Sequence, residues 1–260
     1  MNMSEITIRA AREDDAEALL EVYAPYVLDT AITFEYDVPT PEEFAGRIRS
    51  VLERYPYLVA EQDGRIVGYA YVSTFHERAA YDWAVENSIY VRRDLRRSGV
   101  GRRLYGEMER ALHAQGILNM NACIAYPVVE DMYLSRDSVS FHEHMGYRMV
   151  GMFHKCGYKF GRWYNMVWME KLIGEHLDGQ PPIKTFPEVR GALGLYAPLV
   201  SHAFPRYTPK TKTATWHVPC GPVFRSGRNG ASVRGGLPGA GWAEGYCPGR
   251  TARPSTREAR

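Results

Sequence analysis

The chain has little cysteine, no long apolar run and no large charge imbalance, and each lack excludes something. Its four cysteines, Cys123, Cys156, Cys220 and Cys247, form no C-x-x-C pair, which rules out a zinc knuckle, a redox dithiol and a disulfide scaffold. No stretch approaches the roughly 18 uninterrupted apolar residues of a membrane-spanning helix, and Met1 to Arg12 lacks the apolar middle of a signal peptide. A cytoplasmic protein with no membrane partner is expected. What is present suffices for an ordinary core: 45% of the residues are hydrophobic and 24% charged, outside the collagen-like and wholly disordered classes.

The formal net charge of +2 conceals two kinds of sequence. Gly191 to Arg260 holds ten Lys or Arg against Glu244 and Glu258, a balance of +8, so the residues before it carry −6. The same seventy residues contain eleven Gly and eight Pro without a sustained period, which predicts a disordered basic tail over 191–260. Charge alone lets such a tail hold nucleic acid, but no aromatic stacking series or folded binding motif accompanies it, so no specific nucleic-acid partner is expected. Residues 174–190, punctuated by Pro181, Pro182 and Pro187, read as an extended strap that follows a folded domain over 1–173.

Within that domain the periods alternate. Ile6 to Arg9 alternates as a short strand, and Glu13 to Thr30 carries a helical stripe of Ala16, Leu19, Leu20, Tyr23 and Val27. Pro41 opens a second helix to Tyr55, and Tyr57 to Gln62 and Ile66 to Phe75 flank the hairpin signal Asp63-Gly64. Trp83 to Val91 is a further strand, followed by a helix from Val100 to Gln115. Asn121 to Tyr126 reads as a strand, Ser138 to Met145 as a short helix, and Tyr147 to Tyr158 with Trp163 to Leu172 as a hairpin turning at Phe160-Gly161. The order β-α-α-β-β-β-α-β-α-β-β predicts an α/β fold of the α+β kind, a mixed sheet with helices on its faces.

The chemistry concentrates in Ser88 to Leu104, where a strand runs into an R-x-x-G-x-G loop that opens a helix. Gly99 and Gly101 let backbone approach a ligand closely, and the free amides at a helix start attract an anion such as a pyrophosphate. Arg96, Arg97 and Arg102 add positive charge. The loop lacks the Lys-Ser/Thr ending of a nucleoside-triphosphate site, and no acidic residue follows where a dinucleotide fold requires one.

With Arg78-Ala-Ala-Tyr81-Asp82-Trp83, Glu86-Asn-Ser-Ile-Tyr-Val91, the Arg96 to Gly101 loop and Ser138-Val-Ser-Phe-His142-Glu-His-Met-Gly146-Tyr147 in this order, the chain from about Ile6 to Leu172 resembles the GCN5-related N-acetyltransferase (GNAT) superfamily. Within it, the similarity is to the phosphinothricin acetyltransferase-like branch. The resemblance implies a single acyl-CoA N-acyltransferase domain that uses acetyl-CoA, and no metal, to acetylate the primary amine of a small amino-acid-like substrate. Acetylation of a protein or peptide N-terminus, or an acetyl-CoA-binding module without catalysis, is the alternative. The resemblance assigns Glu86 as general base and His142 as donor to the leaving thiolate or as an assistant to that base. It gives the pantetheine arm to the backbone of Ile89, Tyr90 and Val91, where a bulge is expected to splay the strand, and the pyrophosphate to Arg96, Arg97, Ser98, Gly99, Val100, Gly101 and Arg102. Asp137 stands where the branch has an asparagine that meets the pantetheine, and the inserted Val128 to Ser135 separates it from the strand, so weaker cofactor binding is expected. Phe34, Arg78 and Tyr81 match substrate-pocket positions. The aromatic hairpin of Tyr158, Trp163 and Tyr164 suits core packing or a homodimer contact, or else the far wall of the substrate pocket. His142 and His144, two residues apart on a helix, make a poor metal pair.

Overall fold

The computed structural model describes residues 5–195, so the expected basic tail lies outside the described residues from position 196 onward. The elements are β1 (Thr7–Ala10), α1 (Ala16–Asp29), α2 (Pro41–Leu52), β2 (Tyr57–Gln62), β3 (Arg65–Thr74), β4 (Ala84–Val91), α3 (Val100–Gln115), β5 (Asn119–Tyr126), α4 (Asp137–His144), β6 (Arg148–Lys159), β7 (Arg162–Leu172) and a one-turn α5 (Phe186–Val189). Up to β7 this is the order that the periods predict. Local chemistry places the boundaries. Thr40 Oγ1 accepts from the Glu43 amide at 3.2 Å while the Glu43 carboxylate accepts from the Thr40 amide at 2.8 Å, with Pro41 as the first helical residue. Asp63-Gly64 and Phe160-Gly161 turn their hairpins with positive φ at both residues, 51° and 70° in the first, 51° and 73° in the second.

The seven strands form one mixed sheet in the order β1-β2-β3-β4-β5-β7-β6. Helices α1 and α2 cover one face of its first half, around Leu19, Phe44, Tyr57 and Tyr69. On the other face α3 packs Leu104, Met108 and Leu112 against Val85, Met120 and Val167, joined by Val139 of α4.

The strap is more than an extended segment. Helix α5 drives Phe186 and Val189 into the core beside α3, and Leu195, five residues beyond Arg190, is buried there too. Trp83 Nε1 donates to the Pro181 carbonyl at 2.8 Å, and Gln115 Nε2 to that of Lys184 at 2.8 Å. Three apolar anchors so widely spaced make no period, which is why the packed chain continues past the point where composition changes.

The feature that positions the site is a split between β4 and β5. They are the one parallel pair, and they bond only at Ala84–Asn119, Val85–Met120 and Glu86–Asn121. Beyond Glu86, β4 stays with β3 and β5 stays with β7, so one edge of β4 is left without a partner strand. The register between β3 and β4 runs unbroken from Gly68–Val91 to Thr74–Val85. No bulge opens the strands, contrary to the expectation; the parallel ladder ends, and Asn121 Nδ2 donating to the Val85 carbonyl at 3.1 Å marks its last rung.

Candidate active site

The split forms a groove walled by Ser88, Ile89 and Tyr90 on one side and Ala122 to Ala125 on the other, with Tyr105 and His142 also lining it. At the far end of β4 the chain turns into α3. Gly99 takes φ 90°, and the first bond of the helix is the Arg103 amide to the Gly99 carbonyl at 3.1 Å, which leaves the amides of Val100, Gly101 and Arg102 without intrahelical acceptors. A Cβ on Gly101 would stand 3.1 Å from the Phe141 ring, while beside Gly99 there is open space. Arg96 lies over the Tyr26 ring at 5.6 Å, Arg97 reaches Asp137 at 3.4 Å, Ser98 Oγ donates to the Leu95 carbonyl at 2.6 Å, and Arg102 is exposed.

Arg96 to Arg102 thus make one cationic turn around a helix start, the chemistry that a pyrophosphate requires. The open edge of β4 offers the backbone groups of Ile89 to an amide-bearing arm, whereas strand alternation turns those of Tyr90 toward Tyr69 of β3. Val91 differs: its carbonyl accepts from the Tyr26 hydroxyl. The Tyr90 ring points away from the groove wall into an aromatic cluster, 4.9 Å from Tyr23 and 5.2 Å from Tyr26. Asp137 opens α4 facing the turn, where its carboxylate meets Arg97.

Glu86 sits at the mouth of the split, on the sheet face that carries α1 and α2, half-buried. Desolvation raises its pKa above the ordinary carboxylate value, and the charge of His76 partly opposes that rise. Facing it across the split, Cys123 is open to solvent from the groove, yet the surrounding protein and the Glu86 charge push its thiol up to about 12. That thiol is no nucleophile near neutral pH.

His142 is placed in the groove wall but not as a free acid. It is 3% exposed, and burial draws its pKa down to about 4. Nδ1 lies 2.7 Å from the Ser138 carbonyl, which can only accept, so Nδ1 carries the proton. Nε2 therefore accepts from the Tyr105 hydroxyl at 2.9 Å. Asn87 Nδ2 donates to the same phenol oxygen at 2.5 Å, and Tyr147 donates to Asn87 Oδ1 at 3.1 Å. Every proton in this buried chain has one direction, and His142 has none to give from Nε2. In this tautomer His142 is a neutral acceptor that orients the Tyr105 hydroxyl, with no proton at Nε2 for a departing thiolate. The periods gave no sign of Asn87, Tyr105 and Tyr147 as its partners, because they are far apart in the chain.

The substrate-side positions divide. Tyr81 joins Phe75, His76 and Trp168 in a broad groove beyond Glu86, with the His76 and Tyr81 rings 4.9 Å apart. Arg78 is exposed at the turn before Tyr81. Phe34 packs against Gly157 and lies 6.4 Å from the Tyr164 ring. Tyr164 is buried and donates to Asp131 at 3.0 Å, whereas Tyr158 and Trp163 remain exposed. The insertion is ordered by Asp131, which accepts from the amides of Tyr133 and Leu134 and from Arg162.

An anion seat at a helix start, feeding an open strand edge in a split parallel pair, suits a ligand with a phosphate group at one end and an amide-bearing arm at the other. Residues 8–168 match the Acetyltransferase (GNAT) domain family. The chain belongs to that family and is an acetyl-CoA-dependent acetyltransferase. It is 33% identical over 161 residues to the phosphinothricin N-acetyltransferase of Streptomyces viridochromogenes, a match covering 62% of this chain and 84% of that protein. With the L-methionine sulfoximine/L-methionine sulfone acetyltransferase of Salmonella typhimurium it shares 30% identity over 179 residues, 66% of this chain and 96% of the relative. Its fold matches the crystal structure of a phosphinothricin acetyltransferase from Sinorhizobium meliloti in complex with AcCoA, with a TM-score of 0.61 and 30% identity, covering 70% of this chain and 98% of that one.

Proposed function

We propose that the protein acetylates the primary amine of a small amino acid or analogue of the phosphinothricin or methionine sulfone type, by direct attack of the amine on the acetyl-CoA thioester. The observation that carries this reading is Glu86, a half-buried carboxylate of raised pKa at the mouth of the split, where the acceptor groove meets the open edge of β4. The names of the relatives support the acceptor class.

An ammonium has no lone pair, so the amine must first lose a proton. Glu86 accepts it, directly or through a water, and its raised pKa makes it the stronger base. The unpaired amides of β4 donate to the thioester oxygen as charge develops there, a contribution of about 3 kcal/mol for one such donor. The cationic turn holds the pyrophosphate and so fixes the thioester along the groove. With His142 neutral, the thiolate takes its proton from solvent at the groove mouth.

The test is release of free CoA on mixing acetyl-CoA with a panel of amines including phosphinothricin and methionine sulfone. Turnover of at least one amino-acid-like amine is expected. Turnover confined to peptide N-termini would replace this reading with a peptide acetyltransferase.

A further inference from the structure

Lys159, the last residue of β6, is the one lysine among the described residues that is fully buried, 2% exposed. Its ammonium bonds to no carboxylate. Instead Nζ donates to the Val27 carbonyl at 2.8 Å and the Thr33 carbonyl at 2.9 Å, and lies 5.2 Å from the centre of the Phe160 ring. Val27 is in the last turn of α1, where carbonyls lack intrahelical partners and a cation is favoured. Thr33 is in the loop between α1 and α2, next to Phe34. One side chain therefore joins a helix end, the loop and the β6–β7 turn. Burial lowers the lysine's pKa, and the charge of Glu35 in the same loop opposes that change.

The contacts around it lock the same parts together. The Phe34 ring lies so close to Gly157 that a Cβ there would stand 2.3 Å from ring atoms. The Tyr36 hydroxyl donates to the Tyr158 carbonyl. Phe160 stacks on Tyr133 of the β5–α4 connection at 4.2 Å, and the Ala31 amide donates to the Tyr133 carbonyl at 3.0 Å. From this assembly Ile32 and Leu134 project into the wall of the split, and Phe34 packs in the same apolar cluster as Ala125 of β5.

We propose that Lys159 is a positioning residue for the acceptor: by tying residues 27–34 to the β6–β7 turn it holds Ile32 in the wall of the split, with Phe34 in the cluster beside it, and so sets the width that the incoming amine meets. Lys159 touches neither substrate; it acts through the loop. Burying a lysine among carbonyls is a costly way to join two segments that apolar packing could join. What it adds is direction, since two carbonyls and a ring fix the loop in one place.

This rests on the acetylation of a small amine proposed above, and Lys159→Met tests it by keeping the volume of the side chain while removing its donors. We expect KM for the amine to rise about tenfold, KM for acetyl-CoA to stay within about twofold, and kcat to fall less than KM rises. Amide hydrogen exchange over residues 30–36 should quicken about tenfold while α3 is unchanged, and Lys159→Arg should recover part of the KM. If the methionine variant does not fold, Gly157→Ala displaces the Phe34 ring from the other side and should give the same split in KM. An equal loss in both KM values, or a loss of kcat alone, with loop exchange unchanged, overturns the positioning role. A wild-type enzyme that turns over no small amine overturns the function instead, and the exchange measurement then still decides whether Lys159 holds the loop.

Discussion

Glu86 and Asn87 are neighbours in β4, yet the alternation of a strand sends them to opposite faces of the sheet and into opposite electrostatic settings. The Glu86 side is open. Its carboxylate meets no fixed hydrogen-bond partner in the groove wall, only the charge of His76, and desolvation raises its proton affinity. The Asn87 side is closed: Tyr147, Asn87, Tyr105, His142 and the Ser138 carbonyl form a buried chain in which each donor has one acceptor. Both sides contain groups that titrate in free solution, but only the open side leaves a proton able to move. The difference teaches that a titratable residue named by a motif acts as acid or base only where its hydrogen bonds leave it a choice.

The largest effect should come from Glu86→Gln, which removes the proposed base and keeps the shape. Turnover should fall by roughly 10- to 1,000-fold, the usual gain from a positioned base. The deficit should narrow at high pH, where more of the amine is already neutral. One shared pH profile and rate for both proteins would end the assignment.

Next is Gly99→Val. The φ of 90° strains any residue with a side chain, a branched one most, and the strain falls on the turn that presents the free amides of α3. KM for acetyl-CoA should rise by about 10- to 100-fold with KM for the amine nearly constant, since the damage is confined to the anion seat.

On the closed side the readout changes from rate to stability. The pKa of His142 is about 4 in the folded chain against 6.5 ordinarily, so between those values the unfolded chain binds more protons. The group's contribution is full above pH 6.5 and is lost as pH falls toward 4, by up to about 3 kcal/mol. Denaturant titrations should show that fall in the wild type and a flatter course for His142→Gln. The same variant should retain most turnover near neutral pH. A loss as deep as that of Glu86→Gln would restore His142 as a proton donor and break the contrast.

The smallest effect tests packing away from both sides. Ending the chain at Arg190 rather than Leu195 removes a buried leucine, with an expected cost of about 2 kcal/mol seen as a lower Tm. Both KM values should be unchanged.

Much of this was legible along the chain because it depends on neighbours in sequence. The hairpin turns at Asp63-Gly64 and Phe160-Gly161, the capped start of α2, and the strand, arginine loop and glycine-led start of α3 each need only a few consecutive residues of the right kind. Gly99 could be singled out on that basis, as could the seven strands; Glu86 and Tyr81 were named by the resemblance. Arg78 could be named by its motif, but a motif does not say whether its guanidinium enters the groove, and it stands in solvent instead.

What the tertiary structure alone decided has one physical cause: it depends on groups distant in sequence that meet only when the sheet closes. The split arises where the parallel ladder of β4 and β5 stops, a property of strand pairing that neither strand's alternation contains. The proton on His142 is set by Tyr105 and Ser138, and the burial of Lys159 by carbonyls 126 and 132 positions away. Residue type and spacing determined which groups could do chemistry; hydrogen bonds and desolvation across the fold determined which of them are free to do it.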